Sequence, residues 1–202
     1  MGLKKGAHVF CEKPPSKSLN ELKPIQEFMR DSDLKLMYGF NHRFHSSVIK
    51  AREIVKEKKL GKVINMKGTY GKSKMISFNQ TDWRTDRSKS GGGILLDQGI
   101  HMLDLMNYFG GGFNQVFSII QNSFWNYDVE DNAFILMQND EGLVAQLHSS
   151  ATQWRHTFNL EMTFERGSLI LGGLLTSSKS YGEETLRIIF ADPDNDKGDP
   201  RE

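Results

Sequence analysis

The first forty residues show two short apolar runs with an amphipathic stretch between them. The first run, residues 8–11, is soon followed by two prolines, which end a strand because they cannot donate to its hydrogen-bond ladder. Ser18 stands three residues before Glu21, which is the spacing of a capping box, and apolar residues then recur at helical period to about Arg30. With a second strand at residues 34–39, the pattern predicts a βαβ unit with parallel strands.

Two further amphipathic stretches predict helices, over residues 48–58 with Gly61 as the stop, and over residues 94–109, closed by three glycines. Elsewhere the apolar period shortens towards two, which predicts strands. The predicted strands cover residues 63–70, 116–121, 133–138, 143–149, 158–164, 168–171 and 185–190. Short glycine-containing connections at residues 139–142 and 165–167 are typical of antiparallel hairpins.

The order of these elements indicates the fold class. Helices come first and hairpins follow, so we predict an α+β fold in which a large, mainly antiparallel open sheet carries helices on one face, preceded by the βαβ unit. The polar tail is rich in Asp, Pro and Gly, which predicts disorder or truncation. The chain therefore divides into residues 1–40, 41–191 and 192–202.

Charge and composition exclude several classes of partner. Among 202 residues, 26 Lys and Arg nearly balance 25 Asp and Glu, so no strong field attracts nucleic acid or anionic lipid. No apolar run is long enough to span a membrane. Cys11 is the single cysteine and cannot form an internal disulfide, which fits a reducing compartment. We expect a cytoplasmic protein without nucleic-acid or membrane partners.

The candidate chemistry lies on the predicted helix 94–109. On a regular helix, offsets of four and seven place Asp97, His101 and Asp104 on one face. A carboxylate beside an imidazole is a usable proton-transfer pair, because histidine titrates near neutral pH and the carboxylate orients its ring. The preceding glycines, residues 91–93, would let a flat ligand approach the backbone at the helix N-terminus.

Plainer interpretations stay open at this point. An Asp and a His one turn apart can be a solvated pair that contributes on the order of a few tenths of a kcal/mol. The glycines can form a flexible loop, and Trp83 can be a core anchor. A histidine with two carboxylates could also hold a metal for hydrolysis, although no fourth ligand has a recognisable spacing. We assign no catalytic role to the other histidines, which are His8, His42, His45, His148 and His156.

Four motifs in a fixed order resemble those of the glucose–fructose oxidoreductase and inositol dehydrogenase (Gfo/Idh/MocA) family. They are Glu12-Lys13-Pro14, Gly39-Phe40-Asn41-His42-Arg43-Phe44, Asp82-Trp83-Arg84, and the run from Gly91-Gly92-Gly93 through Asp97 to His101. The resemblance continues through Trp154-Arg155-His156 and Glu165-Arg166-Gly167. It therefore covers nearly all of residues 6–192.

The resemblance implies roles for single residues. Lys13 would lie near the nicotinamide ribose and the reacting carbinol oxygen, and Pro14 would follow a cis peptide bond that aims it. His101 would be the general acid/base and Asp97 its orienting or substrate-binding partner, so the implied catalytic residues are Lys13, His101 and Asp97. The implied cofactor contacts are Glu12, Lys13, Pro14, Trp83 and Arg84. The implied substrate contacts are Lys13, Arg43, Asp97 and His101, and no metal is implied.

The resemblance also implies an activity. Such a protein transfers a hydride between NAD or NADP and a hydroxyl or carbonyl carbon of a sugar, polyol or nucleotide sugar, and pairs into a dimer or tetramer through the sheet face. Residues 1–40 would be the last part of a Rossmann domain and residues 41–191 a substrate-binding and dimerisation domain. Residues 73–82 and 153–157 would select the substrate.

One feature of the family is missing from this sequence. No Gly-x-Gly-x-x-Gly phosphate loop occurs before Ala7, so we expect the polypeptide alone to bind the dinucleotide weakly and to be inactive. The competing hypothesis is a non-catalytic sugar-binding or dimerisation scaffold. An in-frame glycine-rich region upstream of Met1 would favour the enzyme.

Overall fold

The strands of this protein form two separate sheets. The structure, a computed structural model, describes residues 2–75, 83–176, 179–192 and 194. The smaller sheet pairs β1 (Val9–Cys11) with β2 (Leu36–Tyr38) in parallel, and α1 (Leu19–Arg30) crosses between them. This confirms the predicted βαβ unit. Most of the predicted disordered tail lies outside the described residues.

The N-terminus of α1 differs from the predicted capping box. Ser18 has the extended backbone of an N-cap, but its side chain makes no capping hydrogen bond. The Glu21 carboxylate accepts instead from the backbone N–H of Lys17, at 3.0 Å. Only the carboxylate half of the predicted motif therefore reaches back to the chain before the helix.

The larger sheet has seven strands. They are β3 (Val63–Gly71), β4 (Gln115–Gln121), β5 (Asn132–Gln138), β6 (Val144–Ser150), β7 (Thr157–Phe164), β8 (Gly167–Gly172) and β9 (Thr185–Phe190). Their spatial order is β4-β5-β6-β3-β7-β8-β9, and the central pair β3–β6 is parallel while the other neighbours are antiparallel. The prediction of a mainly antiparallel sheet is confirmed.

Two helices, α2 (Ser46–Lys56) and α4 (Ile100–Gly110), pack on one face of this sheet. The short α3 (Arg87–Ser90) contacts the 3₁₀ turn at Trp83–Thr85, and further 3₁₀ turns lie at Leu3–Lys5 and Asn41–Phe44. The helix predicted over residues 94–109 is not regular, because one π-helical turn, Leu95–Gly99, precedes α4. Within the described ranges, none of the helices combines the length and the apolarity needed to cross a bilayer.

The core lies between the helices and the inner face of the sheet. In β7 every second residue is buried, from Phe158 to Phe164, as a half-buried strand requires. Met102 and Met106 of α4 approach β3 at Gly68, where an added Cβ would stand 2.6 Å from Cε of Met106. The thioether side chains fill the space that glycine leaves, so the helix sits close to the sheet. Met66, Met75 and Met162 are also buried.

Within the glycine run at residues 91–93, other parts of the same chain leave no room for a side chain at Gly91 and Gly93. A Cβ on Gly93 would lie 2.1 Å from the backbone oxygen of Glu130, and one on Gly91 would lie 2.6 Å from Cβ of Lys17. Gly93 also donates its N–H to the Glu130 carboxylate at 2.8 Å. The close approach that the sequence predicted for a ligand is therefore made by residues 17 and 130.

We expect Gly93→Ala to destabilise the protein by about 3 kcal/mol, because its methyl group meets backbone and not the end of a flexible side chain. Gly112→Ala is the matched control, since a Cβ there meets no atom within 4 Å. Urea unfolding of both variants checks this. Equal midpoints for the two variants would contradict the steric explanation.

Candidate active site

A cavity of about 560 Å³ opens between the β1–α1 connection and the start of the π-helical turn. The residues that the sequence singled out for a cofactor all line it, namely Glu12, Lys13, Pro14, Trp83 and Arg84. Asp97 closes one side. The structure therefore brings together segments that are separated by some seventy residues of chain. A second cavity of about 570 Å³ lies elsewhere, along Arg155, His156 and Tyr181.

The turn after β1 aims Lys13 at Asp97. The peptide bond between Lys13 and Pro14 is cis. Lys13 Nζ donates to the backbone carbonyl oxygen of Asp97 and lies 3.7 Å from its Oδ1. The βαβ unit and the π-helical turn thus meet at this contact.

Three cations contact the Asp97 carboxylate. Besides Lys13, Lys72 Nζ lies 3.1 Å from Oδ2, and Arg84 Nε lies 3.4 Å from Oδ1. Burial raises the pKa of Asp97, but Lys72 and Lys13 outweigh it and hold that pKa below the ordinary value. Among the described contacts, Asp97 is therefore the carboxylate that Lys13, Lys72 and Arg84 share.

Lys72 is the most deeply buried of these cations, with 4% of its side chain exposed. It follows the last residue of β3, where its backbone N–H donates to Ser150 and its carbonyl accepts from Gln153. Burial lowers the pKa of Lys72, and the neighbouring Asp97 opposes that shift. Sequence reasoning missed this residue because no motif marks it and its partner lies 25 positions away.

His101 is buried at the start of α4. Its ring stacks on that of His42 at 3.9 Å between centroids, and Phe40 meets its edge at 6.0 Å. Burial, followed by the charge of Lys13, lowers the pKa of His101 to about 3, although Asp97 opposes the shift. Burial therefore favours the neutral imidazole, whereas the sequence predicted a histidine that titrates near neutral pH. Its Nδ1 is buried without a hydrogen-bond partner among the described residues.

The sequence predicted Asp97 and His101 as neighbours on one helical face, with the carboxylate orienting the imidazole. Both residues are described, and no hydrogen bond joins their side chains. The physical reason is the π-helical turn, which adds a residue per turn before His101 and breaks the regular spacing assumed from the sequence. Asp97 acts on His101 through its charge alone.

Arg43 and Asp104 form a pair away from the cavity. Arg43 donates Nε and Nη2 to the two oxygens of Asp104 at 2.7 and 2.5 Å. Of the four predicted substrate contacts, Lys13 and Asp97 line the cavity, whereas Arg43 and His101 are absent from its described lining. Asp104 is thus paired with Arg43, whereas Asp97 contacts Lys13, Lys72 and Arg84. No group of three potential ligands for a metal occurs among the described residues.

The two predicted substrate loops meet each other. Ser73 Oγ and His156 Nε2 are 3.0 Å apart, which joins residues 73–82 to residues 153–157. Residues 76–82, including Asp82 of the third motif, lie outside the described part of the chain. Beside this contact, Tyr181 accepts a hydrogen bond from Gln98 Nε2 at 3.0 Å. Neither Gln98 nor Tyr181 was marked by the sequence.

Comparison with known proteins identifies relatives of this arrangement. The family model described as GFO/IDH/MocA C-terminal domain matches residues 48–170, more than half of the chain. D-glucoside 3-dehydrogenase of Escherichia coli is 30% identical over an alignment of 167 positions that covers 74% of this chain and 47% of that protein. Levoglucosan dehydrogenase of Pseudarthrobacter phenanthrenivorans is 29% identical over 116 residues, which are 57% of this chain and 30% of that protein.

A solved structure has the same fold. Levoglucosan dehydrogenase in complex with NADH superimposes with a TM-score of 0.78 at 21% identity, covering 96% of this chain and 57% of that one. The chain thus spans between about a third and three fifths of the length of these relatives.

Proposed function

Because this chain belongs to the Gfo/Idh/MocA family, we propose that it is the substrate-binding part of an NAD(P)-dependent oxidoreductase. Its substrate is a sugar, a polyol or a nucleotide sugar. One observation carries the proposal: Lys13 and Asp97 meet in a cavity that the Glu-Lys-Pro turn, Trp83 and Arg84 also line, and the charges of both act on the buried His101. Two relatives, named D-glucoside 3-dehydrogenase and levoglucosan dehydrogenase, support this substrate class.

The residues present fit one end of the dinucleotide. The cavity of about 560 Å³ has the size of a small-molecule site, and its wall includes the half-exposed indole of Trp83. Glu12, Lys13, Pro14, Trp83 and Arg84 would hold the nicotinamide and its ribose. The residues described before β1 contain one 3₁₀ turn, Leu3–Lys5, and no glycine-rich phosphate loop. The fit therefore extends to the nicotinamide end only.

The chemistry divides between cofactor and protein. When bound, the nicotinamide would accept the hydride from the carbinol carbon as its C–H bond breaks. His101 accepts the hydroxyl proton, because its neutral imidazole offers an unprotonated nitrogen. Lys13 donates a hydrogen bond to the same oxygen and orients it. In the reverse reaction His101 returns the proton to the new hydroxyl oxygen.

The charge cluster assists this step. As the C–H bond breaks, the carbinol oxygen gains alkoxide character before its proton is fully transferred. Lys13 and the buried Lys72, which both contact Asp97, stabilise that developing negative charge. Asp97 in turn stabilises the imidazolium that forms on His101.

A second candidate function rests on the outer face of the sheet. Phe117 and Ile119 of β4 face Leu136 and Phe134 of β5 across the pair, and all four side chains are at least 40% exposed. Such a patch favours burial against another chain. We therefore propose that the chain forms a homo-oligomer through this face. As the alternative to an enzyme, we propose that it is a dimerisation scaffold. The cytoplasmic location also remains a prediction.

The enzymatic proposal is tested with the whole protein that carries this chain, including any in-frame upstream region. We expect NAD or NADP to be reduced in the presence of at least one member of a panel of hexoses, glucosides, anhydrosugars and inositols. Nicotinamide absorbance measures turnover, and isothermal titration measures cofactor binding by the 202-residue chain, which we expect to be weak. Lys13→Met should abolish turnover and preserve the fold. A whole protein that neither binds nor reduces either nucleotide would leave the scaffold as the function.

A further inference from the structure

The segment after β2 holds the start of α4 at two points. Phe40 and His42 contact the ring of His101, and Arg43 pairs with Asp104 one turn later. These three residues belong to the motif Gly39–Phe44, which the proposed reaction leaves without a role. Its histidine is 6% exposed and lies beneath the imidazole assigned to proton transfer.

Two hydrogen bonds fix the ring of His42. Its Nδ1 lies 3.0 Å from the side-chain oxygen of Asn41, and its Nε2 lies 3.1 Å from the hydroxyl of Tyr70. An amide oxygen can only accept, so Nδ1 carries the proton and Nε2 accepts from Tyr70. Burial raises the pKa of Tyr70, which keeps its hydroxyl as the donor. One neutral tautomer of His42 satisfies both partners.

We propose that His42 is a positioning residue for His101: its ring, locked by Asn41 and Tyr70, is a flat support that orients the His101 imidazole and excludes water from one face. The two rings are 15° from parallel at 3.9 Å, so His101 cannot tilt towards His42. Only the importance of this orientation for turnover rests on the proposed function. The support itself is a property of the folded chain.

The charges around the pair are compatible with two neutral rings. Burial, then His101, His45 and Lys13, lower the pKa of His42 to about 2. His45 lies on the far side of His42 at 5.4 Å between ring centroids and pairs with Glu184 at 2.8 Å. Two charged groups act on His101: Lys13 opposes its protonation, and Asp97 favours it. His42 therefore does not compete with His101 for a proton near neutral pH.

The test is an NMR titration of the imidazole nitrogens in the 202-residue chain without cofactor. In the wild type we expect the His101 resonances to stay constant between about pH 5 and pH 8, and His42 to show the single Nδ1–H tautomer. His42→Ala should bring the titration of His101 into this pH range, because water reaches the ring. His42→Phe keeps a flat ring and should restore the wild-type titration. His148, stacked on Phe134 on the other face of the sheet, is the internal reference and should not change.

Three outcomes would overturn the proposal. One is a folded His42→Ala chain in which His101 titrates as in the wild type, and another is a His42→Phe chain that behaves like His42→Ala. The third is a wild-type His42 that populates both tautomers. If His42→Ala does not fold, Asn41→Ala decides: it removes the oxygen that accepts from Nδ1, so the His42 tautomer should become mixed, and an unchanged tautomer would refute the lock. None of these readouts depends on turnover, so failure of the enzymatic proposal stays distinguishable.

Discussion

Replacing His101 with asparagine is expected to lower kcat by about 100- to 10,000-fold in the whole protein, which is the usual contribution of a positioned general acid/base. The neutral imidazole is the group placed to accept the hydroxyl proton, and an amide nitrogen cannot take it. Because Lys13, Trp83 and Arg84 remain in place along the cavity, the dissociation constant of the cofactor should change little.

The control for this loss is His148→Asn. His148 lies on the outer face of the sheet, stacked on Phe134 and hydrogen-bonded to Asn132. Steady-state kinetics of both variants, with cofactor binding measured by titration, separate a chemical defect from a general one. Turnover by His101→Asn at more than a tenth of the wild-type rate would remove His101 from the mechanism.

Asp97→Asn is expected to reduce the free energy of unfolding by about 3–5 kcal/mol, the usual cost of removing one partner from a buried ion pair. It leaves Lys72, which is almost fully buried, without its counter-charge. Lys72→Met is the matched variant and should cost less than about 2 kcal/mol, since Asp97 keeps Lys13 and Arg84. Urea unfolding at neutral pH measures both. A larger loss in Lys72→Met than in Asp97→Asn would show that Lys72 does not depend on this carboxylate.

The difference in stability between the wild type and Asp97→Asn should depend on pH. The folded-state pKa of Asp97 lies below its ordinary value of 3.8. A depressed carboxylate pKa stabilises the fold above the unfolded value, and the stabilisation is lost as pH falls through the folded value. The difference between wild type and Asp97→Asn should therefore be constant above about pH 5 and shrink below about pH 4. A constant difference down to the acid transition would mean that Asp97 is not the titrating group.

The candidate site was predictable mainly through motifs and only partly through physical reasoning. The order of four short motifs marked Lys13, Asp97 and His101; the structure joins Lys13 to Asp97, and the charges of both act on His101. The helical-face argument assumed a regular helix from Asp97 to Asp104, whereas a π-helical turn separates Asp97 from His101. Asp104 pairs with Arg43, which the spacing along the helix could not indicate.

The alternation of apolar and polar residues determined the strands. Seven strands of the large sheet were located to within about one residue at each end, because a strand that buries one face must repeat with period two. The helices could be located in the sequence for the same reason, because each helix needs one apolar stripe that faces the core. These are local requirements, so they are readable in the order of the residues alone.

Only the tertiary structure decided which side chains meet. Lys72 reaches Asp97 because β3 lies in the middle of the sheet and ends beneath the π-helical turn, and Gly68 lets α4 approach that strand. His42 lies under His101 because the segment after β2 crosses the start of α4. Such contacts join residues 25 to 84 positions apart. They depend on strand register and helix position, which are set by the packing of the whole core and leave no mark on the sequence around either partner.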